Sequence, residues 1–336
     1  MRADLLLSLV VCTRNRAASL RAMLESACAL DVPVGTAWEL LVVDNGSEDE
    51  TAETASSFAG RLPLRLVSEP AVGHCPARNR GVAEAKGRWI CWADDDVLLD
   101  PGWLSAWLGA FGRYPEASVL GGHILPRPIE PSPDWFRRHL REWPIANLVA
   151  FRDLHGQLSL EGGRIPWGAN FAVRADVQKS YAFNVELGYS PLHRRTGEET
   201  DVVYRILRDG GRGWWVPGSI VRHVISSERQ TLDYLSFYYD QAGRTAAWLH
   251  DRFPGDNANE ALGTPLLLRL GDPALRLTAG AFGLVARAAL FAGPNLAALR
   301  FRARASYCRG ILAHRGEARV SPPLPETGTL RMKKAA

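Results

Sequence analysis

Along the first half of the chain, short apolar runs alternate with stretches of helical spacing. The runs at residues 5–12, 39–43, 64–67, 89–93 and 118–121 read as strands, and residues 17–29, 49–58, 76–85 and 102–111 between them read as helices. Strand and helix in alternation are the mark of βαβ units, so the pattern predicts a doubly wound, Rossmann-like α/β domain with a mostly parallel sheet. Residues 126–144, rich in proline and aromatics, read as an irregular excursion. Strand character resumes at 168–173. A helix follows at 201–208, closed by Gly210-Gly211, and two short strands follow at 213–216 and 220–224. From residue 232 the pattern is helical, in segments 232–253, 262–291 and 295–314. The division expected is an α/β domain over 1–228, a C-terminal helical extension over 229–316, and a disordered tail over 317–336 that holds Pro322, Pro323 and Pro325.

Composition narrows the class without naming a function. A chain of 336 residues with 46% hydrophobic and 23% charged residues can bury a full core as one large domain or two. The net charge of +4 is unevenly placed, with Arg302, Arg304, Arg309, Arg315, Arg319, Arg331, Lys333 and Lys334 near the C-terminus. A basic end beside apolar helices suits an anionic membrane surface, and no motif points to nucleic acid. Arginines 269, 276, 287 and 300 interleave with Leu266-Leu-Leu268 and with the apolar run 281–286, as in helices that lie in a membrane interface. Helices packed on the α/β domain, or on a second copy in a homodimer, give the same pattern. The five cysteines are scattered with no C-x-x-C pair, which argues for reduced thiols and a cytoplasmic setting. Met1 to Cys12 reads as a first buried strand rather than a signal peptide, because Asp4 precedes the apolar run and Arg14-Asn-Arg16 follows it. Residues 277–291 are broken by Arg287 and are too short to span a bilayer.

Candidate chemistry gathers at the predicted strand ends. The run from Trp89 to Ala93 stops in Asp94, Asp95 and Asp96, three adjacent carboxylates that repel one another. A solvated turn capping the next helix is one explanation. The other is a divalent cation, which takes oxygen ligands and shares its shell with a substrate phosphate, at the sheet edge where open α/β folds bind ligands. The runs ending in Thr13-Arg-Asn-Arg16 and Asp44-Asn-Gly-Ser47 put further polar groups on that edge, and Asp44 can accept from a base N–H or a ribose hydroxyl. Arg78 and Arg80 sit in the first turn of a helix, where the dipole disfavours a cation unless an anion binds there.

Taken together, Val11-Cys-Thr-Arg-Asn-Arg16, the stretch from Val42 to Asp49, Ala77-Arg-Asn-Arg-Gly81, Ile90 to Asp96, Gly168 to Arg174 and Gly197-Glu-Glu-Thr-Asp201 resemble the family 2 glycosyltransferases, which have the GT-A fold. The resemblance covers roughly residues 5–225. It implies an inverting, metal-dependent enzyme that moves a sugar from a nucleoside-diphosphate sugar to a hydroxyl acceptor, a glycan or lipid-linked glycan of the bacterial cell envelope or an exopolysaccharide. It implies that Thr13, Arg14, Asn15, Asp44 and Arg78 lie on the nucleotide with Asp94. Asp95 is counted with that set and is expected to point away. Asp96, with Asp94 and His223, would hold the Mg²⁺ or Mn²⁺. A catalytic base falls among Glu198, Glu199 and Asp201, with Glu199 placed first, although acids there also suit the helix dipole. Trp167 and Gly168 would face the acceptor. The remaining alternatives are a nucleotidyltransferase, against which the first strand lacks a glycine-rich loop, and a non-catalytic nucleotide-sugar-binding protein of the same fold.

Overall fold

A computed structural model describes residues 5–160, 163–252, 265–291 and 293–320. The expected parallel core is present: β1 (Leu7–Thr13), β2 (Trp38–Asp44), β3 (Leu64–Ser68) and β4 (Trp89–Asp94) pair in parallel in the order β3-β2-β1-β4. Their continuous apolar runs follow from burial on both faces. In β1, Leu7, Leu9 and Val11 enter one core and Val10 enters the other, and β2 and β4 divide in the same way. One face is covered by α1 (Ala17–Cys28), which buries Leu20, Met23 and Leu24, and by the tryptophans of α4 (Trp103–Arg113). The other face is covered by α3 (His74–Glu84) and by the helix Glu198–Arg208, which buries Val202, Val203 and Ile206. Between α1 and α3 lies the short α2 (Thr51–Ser56), and three more short helices, α5 (Asp134–Arg138), α6 (Ile145–Leu148) and α7 (Ala175–Gln178), precede the helix Glu198–Arg208, α8.

The second half of the sheet departs from the expected layout. After β4 the chain makes a two-residue turn and enters β5 (Val97–Leu99), so Asp94–Asp96 do not cap a helix. The strand foreseen at 118–121 is β6 (Val119–Pro128), which runs well into the stretch read as irregular. The strands foreseen at 213–216 and 220–224 are one strand, β8 (Gly213–Ile225), and β7 (Asn170–Arg174) lies earlier in the chain. The register of β8 against β6 shifts between Gly122 and His123, which absorbs the Pro217-Gly218 bend. The full order is β3-β2-β1-β4-β7-β6-β8-β5, with β7 antiparallel to both neighbours and β5 antiparallel to β8. A sheet with an antiparallel insertion in a parallel core and helices on both faces is the doubly wound class expected.

From Leu232 onward α9 (Leu232–Arg252) packs against two further long helices, Asp272–Leu290 and Leu296–Val320. They share a third core with Leu235, Tyr239, Leu275, Ala303 and Ile311, joined by Phe136 and Ile145 from the β6–β7 connection. The last helix continues through residues 317–320, where a tail was expected; residues 321–336 lie outside the described residues. Close approach of α9 and the last helix depends on Gly243 and Gly310, where a Cβ would overlap the carbonyl oxygens of Tyr307 and Asp240. Most described arginines of the C-terminal end are used inside the bundle: Arg302 pairs with Asp233, and Arg315 with Asp272 and the carbonyls of Leu268 and Leu270.

Alanine favours helix over glycine by roughly 1 kcal/mol, so the packing makes opposite forecasts for different glycines. Gly280→Ala, whose Cβ would meet nothing within 4 Å, is expected to raise the melting temperature slightly, whereas Gly310→Ala is expected to lower it by several degrees in thermal denaturation. Stabilisation by Gly310→Ala would show that the two helices are not held at this distance.

Candidate active site

The register levels the strand ends: Thr13 pairs with Asp44, Asp44 with Ser68, and Cys12 with Asp94. Polar residues of four strands therefore share one sheet edge. Those of β1 and β4, with Asn45 just after β2, border a cavity of about 1500 Å³ whose other walls are the start of α8 (Glu198–Arg208), the stretch Trp167–Ala169, and residues of α9 and the last helix.

Carboxylates and arginines alternate along the sheet-edge wall. Asp95 is buried, accepts from Thr13 Oγ1 at 2.7 Å and from Arg16 Nη1 at 2.7 Å, and so is turned inward. Burial, with Asp96 alongside, pushes its carboxyl up to about 6 despite Arg16. Asp96 is also buried, with Arg16 at 3.2 Å, Arg229 at 3.4 Å and His223 Nε2 at 3.5 Å. Burial opposes its charge, but His223 and the two guanidiniums outweigh it and hold the carboxyl below the usual range. Asp94 is the most open of the three, with Arg78 Nη2 at 3.4 Å.

Arg78 is nearly inaccessible, at 3% exposure. Its guanidinium lies over the rings of Trp92, Phe171 and Phe183 at 5.3–5.9 Å. Gly168 leaves the room for it, since a Cβ there would stand 2.9 Å from Arg78 Nη2. Nε donates to His74 Nε2 at 3.2 Å, so the His74 proton sits on Nδ1 and points at Glu198 Oε1, 2.8 Å away. Nη1 is buried with no hydrogen-bond partner, an orphaned charged donor beside the cavity.

The two glutamates that start α8 are driven apart by these neighbours. Burial works against the charge of Glu198, but His74 and Arg78 outweigh it and hold the carboxyl down to about 2. Glu199 accepts only weakly from the Gly168 N–H, at 3.3 Å. Burial and then the charge of Glu198 push it up to about 7, against the pull of Arg78. Two adjacent carboxylates with separated affinities are the arrangement that distinguishes a proton acceptor from a fixed charge.

Other candidate residues are placed differently. Asp44 does not line the cavity, and its Oδ1 accepts the Ser47 N–H at 3.2 Å. Asn15, at φ +52°, is engaged with Ser47 and Glu48, and Arg14 lines the cavity while reaching the Gly46 carbonyl. Asp201 is tied to Arg205 by two hydrogen bonds of 2.7 and 3.0 Å and faces away from the cavity lining. Trp167 and Gly168 both line it, and Arg152 stacks on Trp167 at 4.4 Å. Arg16, His74 and Arg229 also contact these acids and were not among the expected site residues. Arg16 stands in the Val11–Arg16 motif, but nothing local to Arg229 marks its approach to Asp96.

The donor set of this wall suits a divalent ion shared with a phosphate. His223 donates Nδ1–H to the Val149 carbonyl at 2.8 Å, which fixes its orientation and aims Nε2 toward Asp96, as for a metal-ligating histidine. Asp94, Asp96 and His223 do not form a closed three-ligand cluster. The protein would supply one or two ligands and leave the rest of the shell to phosphate oxygens and water, the habit of Mg²⁺-type sites.

A curled, mostly parallel sheet with acids at one edge and helices on both faces places a ligand site at the strand C-termini. Residues 8–180 match the model of glycosyl transferase family 2, and the chain belongs to that family. It is 38% identical over 98 residues to dodecaprenyl-phosphate galacturonate synthase of Rhizobium johnstonii, a match covering 28% of this chain and 29% of that protein. Against glucosyl-dolichyl phosphate glucuronosyltransferase of Haloferax volcanii it is 25% identical over 248 residues, 68% of this chain and 72% of the other. The match thus spans under a third of the first relative. Among solved structures the fold is shared with mannosyltransferase PcManGT of Pyrobaculum calidifontis in complex with GDP-Man and Mn²⁺, with TM-score 0.62, 17% identity, and 94% and 88% of the two chains covered. It is also shared with S. aureus TarS 1-349, with TM-score 0.51, 14% identity, and 93% and 92% covered. These are GT-A structures, so the expected fold holds.

The Glu199 environment yields a stability forecast. A carboxyl whose folded-state affinity is raised is penalised once it ionises, so the penalty is absent below the unfolded value and grows as pH rises through about 7. Glu199→Gln is expected to melt higher than wild type at pH 8 and equally near pH 4.5. A variant that melts lower at pH 8 would refute the raised affinity.

Proposed function

We propose that this glycosyltransferase inverts the anomeric centre as it moves a sugar from a nucleoside diphosphate to the hydroxyl of a lipid-linked acceptor, with Glu199 as the base. The observation that carries the reading is the pairing of two chemistries in one cavity. The sheet-edge wall is charged and suited to a diphosphate. The remaining lining is aromatic, with Trp143 and Tyr189 from loops and Tyr234, Phe237 and Tyr238 from α9, and is dotted with Arg194 and Arg304. An acceptor with an apolar body and an anionic group fits that lining, and the names of two relatives speak of dodecaprenyl and dolichyl phosphates.

In this reading the orphaned Nη1 of Arg78 holds the donor phosphates, and Asp94 orients the nucleotide side. Asp96 and His223 would hold a divalent ion, Mg²⁺ or Mn²⁺, whose positive charge would offset that of the departing diphosphate. Glu199, poised near neutrality and steadied by Gly168 N–H, takes the proton of the acceptor hydroxyl as it attacks from the face opposite the diphosphate. Glu198 stays ionised and keeps its neighbour's affinity high. A single displacement of this kind inverts the configuration. Thr13 and Asp95 set the position of Arg16, which balances Asp96 from below.

The exposed side of the helix Asp272–Leu290 presents Leu277, Leu284 and Val285, followed by Phe291, with Arg276 and Arg287 among them. After Asp272 no acidic residue occurs on this helix. An apolar stripe flanked by arginines suits the anionic inner face of a cytoplasmic membrane, where a lipid-linked acceptor would be presented. No helix among the described residues is long and apolar enough to cross a membrane, so the contact would be peripheral.

Transfer from a panel of UDP-, GDP- and dTDP-sugars to a polyprenyl-linked acceptor, followed by mass spectrometry, tests the reading. Glu199→Gln is expected to cut turnover by about 10²–10⁴-fold, and wild-type kcat/KM is expected to fall tenfold per pH unit below about 7. Leu277→Gln/Leu284→Gln is expected to slow transfer in anionic vesicles and leave transfer in detergent unchanged. Full turnover by Glu199→Gln would remove Glu199 as the base, and equal losses in vesicles and detergent would remove the membrane contact.

A further inference from the structure

We infer that the chain carries a second cation site, of the zinc class, formed by His123, Asp153 and His155 and separate from the sheet-edge cavity. Among the described residues these are the side chains of metal-ligating type that converge as a group of three, with their ligand atoms all within 4.8 Å of one another. None of them lines the cavity. His123 Nε2 lies 3.1 Å from Asp153 Oδ1, and His155 Nε2 lies 3.9 Å from the same oxygen. A tetrahedral ion with bonds of about 2.0–2.1 Å sets its ligand atoms roughly 3.4 Å apart, so small rotations of exposed side chains would close the shell.

A second observation points the same way. His123 Nε2 is buried and makes no hydrogen bond, although Asp153 Oδ1 stands 3.1 Å away. A buried ring nitrogen without a hydrogen bond costs stability, and a metal shared with that carboxylate would satisfy it. Two imidazoles and one carboxylate are borderline donors that favour Zn²⁺ over Mg²⁺ or Ca²⁺, and they leave a fourth position for water.

The backbone beneath the three residues is held in place. Arg152 exchanges two hydrogen bonds with Ile124, the Gly156 carbonyl accepts from Trp215 N–H at 2.8 Å, and Leu158 N–H donates to the Gly213 carbonyl at 2.9 Å. His123 lies on β6 at the register shift, so the ion would fasten the 152–158 segment to the sheet. The consequence reaches the cavity through Arg152, which donates to the carbonyls of Gly163 and Ile165 and lies on Trp167. The site is therefore assigned a structural role, stiffening the wall that Trp167 forms.

The test is calorimetric titration of ZnCl₂ into the full, tag-free chain after chelator treatment. Excess Mg²⁺ is kept present to occupy oxygen-rich sites without competing for imidazole. Wild type is expected to take up one equivalent, with a rise in melting temperature on the order of 5 °C at saturation. His155→Ala is expected to bind at least about 100-fold more weakly and to gain no such rise. Its side chain is 77% exposed, so the metal-free variant should melt where metal-free wild type does. Absence of zinc uptake, or equal uptake by His155→Ala, would overturn the assignment. Neither result bears on Glu199 or on sugar transfer.

Discussion

Five carboxylates meet three guanidiniums at the C-terminal edge of the sheet, and the surrounding structure is arranged around that imbalance. Asp94, Asp95, Asp96, Glu198 and Glu199 face Arg16, Arg78 and Arg229, with His74 and His223 between them. Removing an ion from water costs several kcal/mol even after relaxation. Cation–π contacts of about 0.5–2 kcal/mol each cannot by themselves hold Arg78 under three aromatic rings. Glu198 and Asp94 make up part of the difference. The unpartnered Nη1 and the surplus of carboxylates are the features that the proposed ligands would balance. In that reading a diphosphate would supply anionic oxygens to the arginine, and a divalent cation would offset the surplus acids.

Global architecture turns this local demand into a site. Parallel pairing levels the ends of β1, β2 and β4, so acids and arginines far apart in the chain share one edge. The antiparallel β7 brings the Trp167–Ala169 stretch back across the edge, where Gly168 gives Arg78 its space and Glu199 its hydrogen bond. The helical extension closes the far wall with aromatic side chains of α9, which places an apolar surface beside the charged one. Stability and function meet in Gly168, Gly243 and Gly310, where close approach forbids a larger residue.

Much of the α/β core was legible because burial on both faces leaves strands continuously apolar, and because Asp94–Asp96 conflict with packing unless something cationic is bound nearby. Glu198 and Glu199 were legible as acids at a helix start, but their separation depends on His74 and Arg78, more than a hundred residues away. Sequence position conveyed nothing of Arg229 reaching Asp96, since that contact exists only through the pairing of β5 with β8. The same pairing hid β5 itself, whose three residues are too few to show a period. Asp44 and Asp201 stand where a strand end and a helix start mark them. Asp44 accepts the Ser47 N–H and Asp201 is tied to Arg205, local partners that a reading by strand end or helix start does not weigh. The helical extension was visible as helices, whereas its contribution to the cavity arose from packing at Gly243 and Gly310.

The central claim is that the surplus of buried carboxylates holds a divalent cation jointly with a diphosphate. It is tested most directly by titrating UDP and GDP into the protein with Mn²⁺ and then with chelator, in wild type and in Asp96→Asn. The account predicts that Mn²⁺ tightens wild-type binding of the cognate nucleoside diphosphate by tenfold or more, equivalent to about 1.4 kcal/mol, and that Asp96→Asn loses this gain. Equal affinity with Mn²⁺ and with chelator, or an undiminished gain in Asp96→Asn, would contradict it.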